Sequence, residues 1–270
     1  MADTPFWLDS DLEEANVDPN ILAIGDSWFW YLFNNILTPL NNMINTGDKM
    51  TSNMLVRGAL GAEVDAFVDT TFLDQLDEDL GVVRDQNGDI DVLNYDIEAV
   101  FLSGGGNDVV DDNLRHILNP DNTGVTQPED CFNQTNFDDR LNRIRSNYNN
   151  LIDFVQLRQP NAKIFMHCYD YAPPTGVKFL NFVGGWLREP MEDANIDPAL
   201  YMGVVHVLID NLISIMEDIS QHDNNIFFIN STGALPSIND WANELHPTSI
   251  GFTHVLERRW RPVLQHAGLI

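Results

Sequence analysis

The chain has 270 residues, 44% of them hydrophobic, so it can bury a full core and reads as one large domain over 1–270 rather than two small ones. Its 14 Lys and Arg face 41 Asp and Glu, a formal net charge of −27 that repels nucleic-acid backbones and anionic membrane surfaces. That balance argues against polyanionic partners and reads as a solvated acidic surface of the kind tuned for salty surroundings.

Met1–Glu14 lacks the basic start and apolar run of a secretory leader. No segment is expected to approach the roughly 18 apolar residues of a membrane span. A cytoplasmic protein with no membrane span is the expectation, and the sequence leaves the oligomeric state open. Cys131 and Cys168 allow at most one bridge, and Cys168, inside an apolar run, reads as a buried free thiol.

Short apolar runs at Ile21–Gly25, Asn53–Val56, Ala99–Ser103, Lys163–Cys168 and Ile226–Ile229 read as parallel strands buried on both faces. Longer periodic stretches at Phe29–Asn41, Phe137–Leu157, Leu200–Gln221 and Gly251–His266 read as helices, the last capped by Thr248 or Ser249. This alternation predicts an α/β fold with a doubly wound sheet of about five parallel strands. Between the second and third runs, Asp85–Asp91 has the oxygen spacing of a calcium loop. Its Asn87–Gly88 pair between two apolar segments is the better sign of a hairpin, and the bidentate glutamate of a calcium loop is missing.

In a doubly wound sheet the functional groups gather where strands end at their carboxyl edge. After the first strand, Gly25–Asp26–Ser27 places a hydroxyl at the start of a helix, which makes Ser27 the candidate nucleophile. The second run is followed by Arg57–Gly58–Ala59–Leu60–Gly61, where glycine lets a backbone N–H approach a ligand. Gly104–Gly105–Gly106–Asn107–Asp108 follows the third and presents a side-chain amide donor. Near the end, Asn243–Glu244–Leu245–His246–Pro247 puts a histidine in a loop before the last helix.

These four blocks, in this order, resemble those of the SGNH hydrolase superfamily, the GDSL esterases and lipases. The resemblance spans residues 21 to about 255, though only the four short blocks are specific. It implies a three-layer α/β/α, flavodoxin-like fold and a serine hydrolase in which Ser27 attacks and His246 is the general base. The backbone N–H groups of Ser27 and Gly61 and the Asn107 amide would then form the oxyanion hole. Each donor of that kind contributes about 3–4 kcal/mol to the transition state. The chemistry needs no metal and no organic cofactor, and the partner is a small-molecule ester.

One position departs from the pattern. The family carries Asp three residues before the histidine, where this chain has Asn243. An amide reaches the imidazole but supplies no full negative charge, and it can donate and hold the wrong tautomer. Three orienting arrangements follow: a Ser–His dyad steadied by Asn243, Asp240 as an alternative acid one turn earlier, or a main-chain carbonyl. Glu244 adjoins the site and is expected to point away.

The expected activity is ester hydrolysis through an acyl-enzyme. The alternatives are a catalytically weakened relative that binds an acylated ligand, or an acyltransferase or thioesterase using the same residues. Tyr169–Pro198, rich in Pro, Gly and aromatics, follows the fourth strand and suggests a substrate-shaping loop or small cap around 170–200. The aromatic cluster Trp28–Phe33 reads mostly as core packing of the first helix. His167 reads as a hydrogen-bonded core histidine, and His116, His206, His222, His254 and His266 as surface or packing residues.

Overall fold

The computed structural model describes residues 4–30, 34–177 and 185–270. Seven strands occur among them: β1 (Ile21–Gly25), β2 (Met54–Gly58), β3 (Val82–Arg84), β4 (Ile90–Leu93), β5 (Ala99–Ser103), β6 (Lys163–Cys168) and β7 (Ile226–Asn230). The helices are α1 (Asp9–Ala15), α2 (Ser27–Trp30), α3 (Leu37–Asn45), α4 (Thr70–Asp79), α5 (Asp111–Ile117), α6 (Gln134–Arg158), α7 (Arg188–Asp193), α8 (Tyr201–Ser220), α9 (Ser249–Val255) and α10 (Arg261–His266).

Five strands form one parallel sheet in the order β2-β1-β5-β6-β7, and helices flank it in a three-layer α/β/α arrangement. The order reverses at β1, between β2 and β5, the switch point where such sheets open a crevice. Every residue of β1 and β5 is buried, which is why these strands read as unbroken apolar runs. Phe101, Phe165 and Phe227 share one register across three neighbouring strands with ring centroids 5.0 Å apart, and Trp260 stacks on Phe101 at 5.8 Å. Burying one such ring stabilises the fold by about 1.5–3 kcal/mol.

β3 and β4 pair antiparallel as a separate hairpin, as the Asn87–Gly88 pair predicts. Asp85 Oδ1 accepts the N–H groups of Asn87 (2.8 Å) and Asp89 (3.0 Å), so its carboxylate shapes the turn. Both cysteines are buried free thiols.

Three expectations need correction. The single helix over Phe29–Asn41 is instead α2 and α3, with residues 31–33, Tyr31 and Phe33 among them, outside the described part. Asn35 Oδ1 accepts Leu37 N (3.1 Å) and Thr38 N (3.2 Å) and so starts a new helix. Pro39 then falls in a first turn, where its missing N–H costs nothing.

The last helix likewise runs as α9, a π-turn over Leu256–Trp260, and α10. Pro262 cannot donate, and its ring would press on the carbonyl four residues back, which a wider turn relieves. Thr248 is the cap, accepting Gly251 N at 3.0 Å.

The third correction concerns Pro198–Ser220, which holds an 18-residue window of mean hydropathy 1.7 and is long and apolar enough, by length and composition, to cross a membrane. Here α8 packs on β6 and β7, and Val204, Val205, Leu208, Leu212, Ile215, Met216 and Ile219 form a buried stripe at helical spacing.

Candidate active site

Ser27 stands two residues beyond β1, at the start of the single turn α2, and is 9% exposed. β2 ends beside β1 with Gly25 opposite Gly58. Gly58 has φ +121, and a Cβ there would lie 1.9 Å from Gly25 O, so only glycine lets the two strand ends approach. The next turn is fixed by Ala59 N on Gly25 O (3.2 Å), and Gly61 follows with φ +73. Among the described residues, the N–H groups of Ser27 and Gly61 have no protein acceptor.

His246 arrives from a tight loop. Trp241 bridges Pro247, Ala242 N donates to His246 O (2.8 Å), and Thr248 N donates to Asp240 O (2.8 Å). The Trp28 indole N–H donates to Leu245 O (3.1 Å), fastening this loop to α2. The result brings Ser27 and His246, far apart in sequence, into contact: His246 Nε2 lies 2.7 Å from Ser27 Oγ.

Asn243 Oδ1 accepts Leu245 N and His246 N, both at 2.9 Å, and lies 3.0 Å from His246 Nδ1. Two backbone donors on one oxygen decide the amide's orientation, so the group facing the imidazole is an acceptor. Nδ1 therefore carries the proton and Nε2 is left to accept from the Ser27 hydroxyl. The wrong-tautomer risk of an amide at 243 does not arise. Burial pushes the His246 imidazole down to about 4, so it is neutral at ordinary pH.

Asp240 does not reach His246. Its Oδ2 accepts Ser237 N (3.2 Å), and its Oδ1 faces His254 Nδ1 (3.2 Å). The alternative acid is thereby turned away, because its carboxylate caps its own turn. Glu244 points away as expected.

Asn107 lies in the turn after β5. Its Nδ2 donates to Ala62 O (3.0 Å) and, at 3.4 Å, to Asp26 Oδ2. The amide thus sits between the Gly61 turn and the residue preceding Ser27.

Sequence reasoning missed the carboxylate network beneath these groups. Asp26 is buried and accepts Tyr169 Oη (2.6 Å), Ser103 Oγ (2.8 Å) and Trp28 N (3.1 Å). Burial raises its pKa against the pull of those donors. Asp26 stood in the first block, and Tyr169 is the residue directly after β6, so inspecting every strand end would have found both. Asp108 is also buried. Its Oδ2 accepts Val64 N (3.1 Å), tying the Asn107 turn to the segment after Gly61, while Oδ1 has no partner among the described residues. Burial pushes its carboxyl up to about 7.

His167 is a core histidine, as expected. Nδ1 bonds Cys168 O (3.1 Å), the ring packs among Trp28, Phe29, Tyr169 and Trp260, and burial lowers it to about 4. Of the scattered histidines, His206 stacks on Tyr171 at 3.8 Å and His254 meets Asp240. Among the described residues no three His, Cys, Asp or Glu side chains group as a metal site.

Beside Ser27 opens a cavity of about 50 Å³ whose walls are mostly apolar, with side chains of α8, Leu187 and Leu245 around Ser27, Asn107 and Tyr169. Trp186 stands edge-on to His246, ring centroids 5.9 Å apart. The 170–200 segment therefore borders the site, although its residues 178–184 lie outside the described part.

Solved structures share this architecture. The chain is similar to a lipase from a goat rumen metagenome (11% identity, 91% of this chain and 97% of that one, TM-score 0.56). An extracellular lipase from Streptomyces rimosus matches at 12% identity over 92% of this chain and 99% of that one, TM-score 0.52. A family 3 carbohydrate esterase from Clostridium thermocellum matches at 13% identity over 92% and 95%, TM-score 0.50. The chain shares the fold of these lipases and this carbohydrate esterase. No protein-family model and no curated protein matches the sequence. At such identities the likeness is one of backbone, and what this chain does must be argued from its own side chains.

Proposed function

We propose that this SGNH-fold protein is a serine esterase that hydrolyses carboxylic esters in two steps through an acyl-enzyme. The observation that carries the reading is the Ser27 Oγ–His246 Nε2 distance of 2.7 Å, with the tautomer set by Asn243. Ser27 Oγ attacks the ester carbonyl carbon while its proton passes to Nε2. The tetrahedral intermediate then collapses, and the proton goes to the departing alkoxide as the C–O bond breaks. Water repeats the sequence on the acyl-Ser27 ester and restores the hydroxyl.

The developing oxyanion would take the N–H groups of Ser27 and Gly61. The Asn107 amide can join them by exchanging its long 3.4 Å contact to Asp26 for the charged oxygen. Asn243 orients the imidazole without a countercharge, so His246 is a competent base from an unusually low pH upward, and the imidazolium formed in the transition state is stabilised less than by a carboxylate.

The test is steady-state and burst hydrolysis of p-nitrophenyl butyrate by the wild type and by Ser27→Ala from pH 4 to 9. A burst followed by turnover in the wild type, absent from Ser27→Ala, supports the reading. Equal rates for the two proteins would favour a protein that only binds its acylated ligand.

A further inference from the structure

The Glu244 side chain is fully buried yet forms no ion pair with arginine or lysine among the described residues. All its described hydrogen bonds go to main-chain N–H groups of one distant segment. Oε1 accepts Gly176 N (3.0 Å) and Arg188 N (3.1 Å), and Oε2 accepts Leu187 N (2.9 Å). Its own N–H donates to Val177 O at 3.0 Å. One residue of the His246 loop thus joins Gly176 and Val177 to Leu187 and Arg188.

The partner segment is shaped to receive the carboxylate. A Cβ on Gly185 would lie 2.2 Å from Oε2 and 2.5 Å from Oε1, so the side chain packs on bare backbone. Three donors on two oxygens also demand an acceptor-only group. A glutamine can serve one side but must turn its NH₂ toward the other, leaving either Leu187 N or the Gly176–Arg188 pair facing a donor.

What the clasp holds is the wall of the site. Leu187 lines the cavity beside Ser27 together with Val205, Leu208 and Ile209 of α8, and Trp186 covers His246. A concave pocket with such walls takes an apolar chain, and the lining near Ser27 sits where an acyl group would extend from the reacting carbonyl. Resting on the serine-esterase reading for the identity of the reacting group, we propose that Glu244 is a positioning residue that sets acyl selectivity. By tying Gly176 and Val177 together with Leu187 and Arg188 to the His246 loop, it fixes an acyl-chain pocket that favours long apolar acyl groups over acetyl.

The experiment compares wild type, Glu244→Gln and Gly185→Ala; the last pushes the carboxylate out without removing it, and its ordinary φ tolerates alanine. Three readouts are taken: kcat and KM on p-nitrophenyl acetate and octanoate, binding of octanoate by calorimetry, and amide hydrogen exchange at Gly176, Leu187 and Arg188. In both variants KM for the octanoate ester rises about tenfold or more with kcat little changed, whereas acetate kcat/KM falls less than about threefold, since only the longer chain uses the wall. Octanoate affinity drops in parallel, and exchange at Leu187 and Arg188 speeds by about tenfold or more while β5 and β6 keep their protection.

Equal losses on both esters, or unchanged octanoate affinity and exchange in both variants, would overturn the inference while leaving the esterase intact. A wild type that binds octanoate but hydrolyses neither ester, with binding weakened in both variants, would sink the esterase reading and keep the role of Glu244. A wild type that does not bind octanoate overturns the inference directly.

Discussion

Buried and partly buried carboxylates at the two edges of the parallel sheet are held in different ways. At the amino edge, where α6 hands over to β6, Asp77 is paired with Arg158 and Arg84. Burial would raise the Asp77 carboxyl, but the two guanidinium groups hold it below its ordinary value. The neighbouring Gln159 ties loops together as a neutral amide, donating to Leu80 O (2.8 Å) and Tyr95 O (3.0 Å). At the carboxyl edge, Asp26, Asp108, Asp170 and Glu244 are buried with no ion-pair partner among the described residues. Asp170, for instance, accepts Gly233 N (2.7 Å) and Leu235 N (2.6 Å). Guanidinium groups secure the partly buried Asp77, whereas N–H and O–H donors secure these four buried carboxylates, and the Arg140–Glu63 pair (2.9 Å) at the same edge has a partly exposed carboxylate. An arginine among the four would pull the oxyanion out of its donors and compete for every carboxylate.

The largest effects should come from the hydroxyl and the imidazole. Ser27→Ala and His246→Ala should each lower kcat on p-nitrophenyl butyrate by about 10⁴-fold or more, with losses that do not add when combined, because the two act as one unit. Additive losses would break the pairing on which the carboxyl-edge reading stands.

Next comes Asn243. In serine proteases with a Ser–His–Asp triad, an amide in place of the acid costs about 10⁴ in turnover, chiefly through the wrong tautomer. Here the tautomer is already correct, so Asn243→Asp should raise turnover by about tenfold rather than by that full factor. It should also move the acid limb of kcat/KM upward, because a carboxylate at Nδ1 favours the imidazolium, whereas the wild type should lose activity only as pH falls toward about 4. An unchanged or lower rate in pH-resolved kinetics would show that a charge at 243 is not needed.

Stability should then titrate with opposite signs at the two edges. The folded Asp108 value, about 7, lies above the ordinary carboxylate value, so the stability it contributes is present in acid and lost as pH rises through about 7. Asp108→Asn should therefore gain of the order of 2 kcal/mol at pH 8, after the cost of an unpartnered amide, with the gain vanishing near pH 4. Asp77 is lowered, so its contribution is present above the ordinary carboxylate range and lost in acid. Asp77→Asn should lose about 1–2 kcal/mol at pH 7 and progressively less as the pH falls below the ordinary carboxylate range, with kcat unchanged. Thermal melts across pH check both, and shifts of the same sign would erase the contrast.

The five strands of the sheet were legible in the chain because strands buried on both faces leave uninterrupted apolar runs; β2 runs Met54–Gly58 rather than Asn53–Val56, and β7 ends one residue later than expected. Ser27, Gly61 and Asn107 could be singled out because their blocks follow strand ends, and His246 because its block precedes the last helix. Less could be read where a side chain's fate depends on distant backbone. The orientation of Asn243 follows from two N–H groups in its own tight loop, and Asp240 was lost to its own cap. Glu244 revealed nothing of its target, because Gly176, Leu187 and Arg188 lie far along the chain. The break between α2 and α3 was signalled by Asn35 and Pro39 but masked by apolar periodicity. The apolar character of α8 is that of a core helix with a second, partly exposed face.

The most direct test of the central claim is stoichiometric labelling with a fluorophosphonate, mapped by peptide mass spectrometry in the wild type and in His246→Ala. The account predicts one label per chain, on Ser27, formed at least about 10³-fold more slowly without the imidazole. A label on another residue, or one formed on Ser27 at the same rate in both proteins, would contradict it.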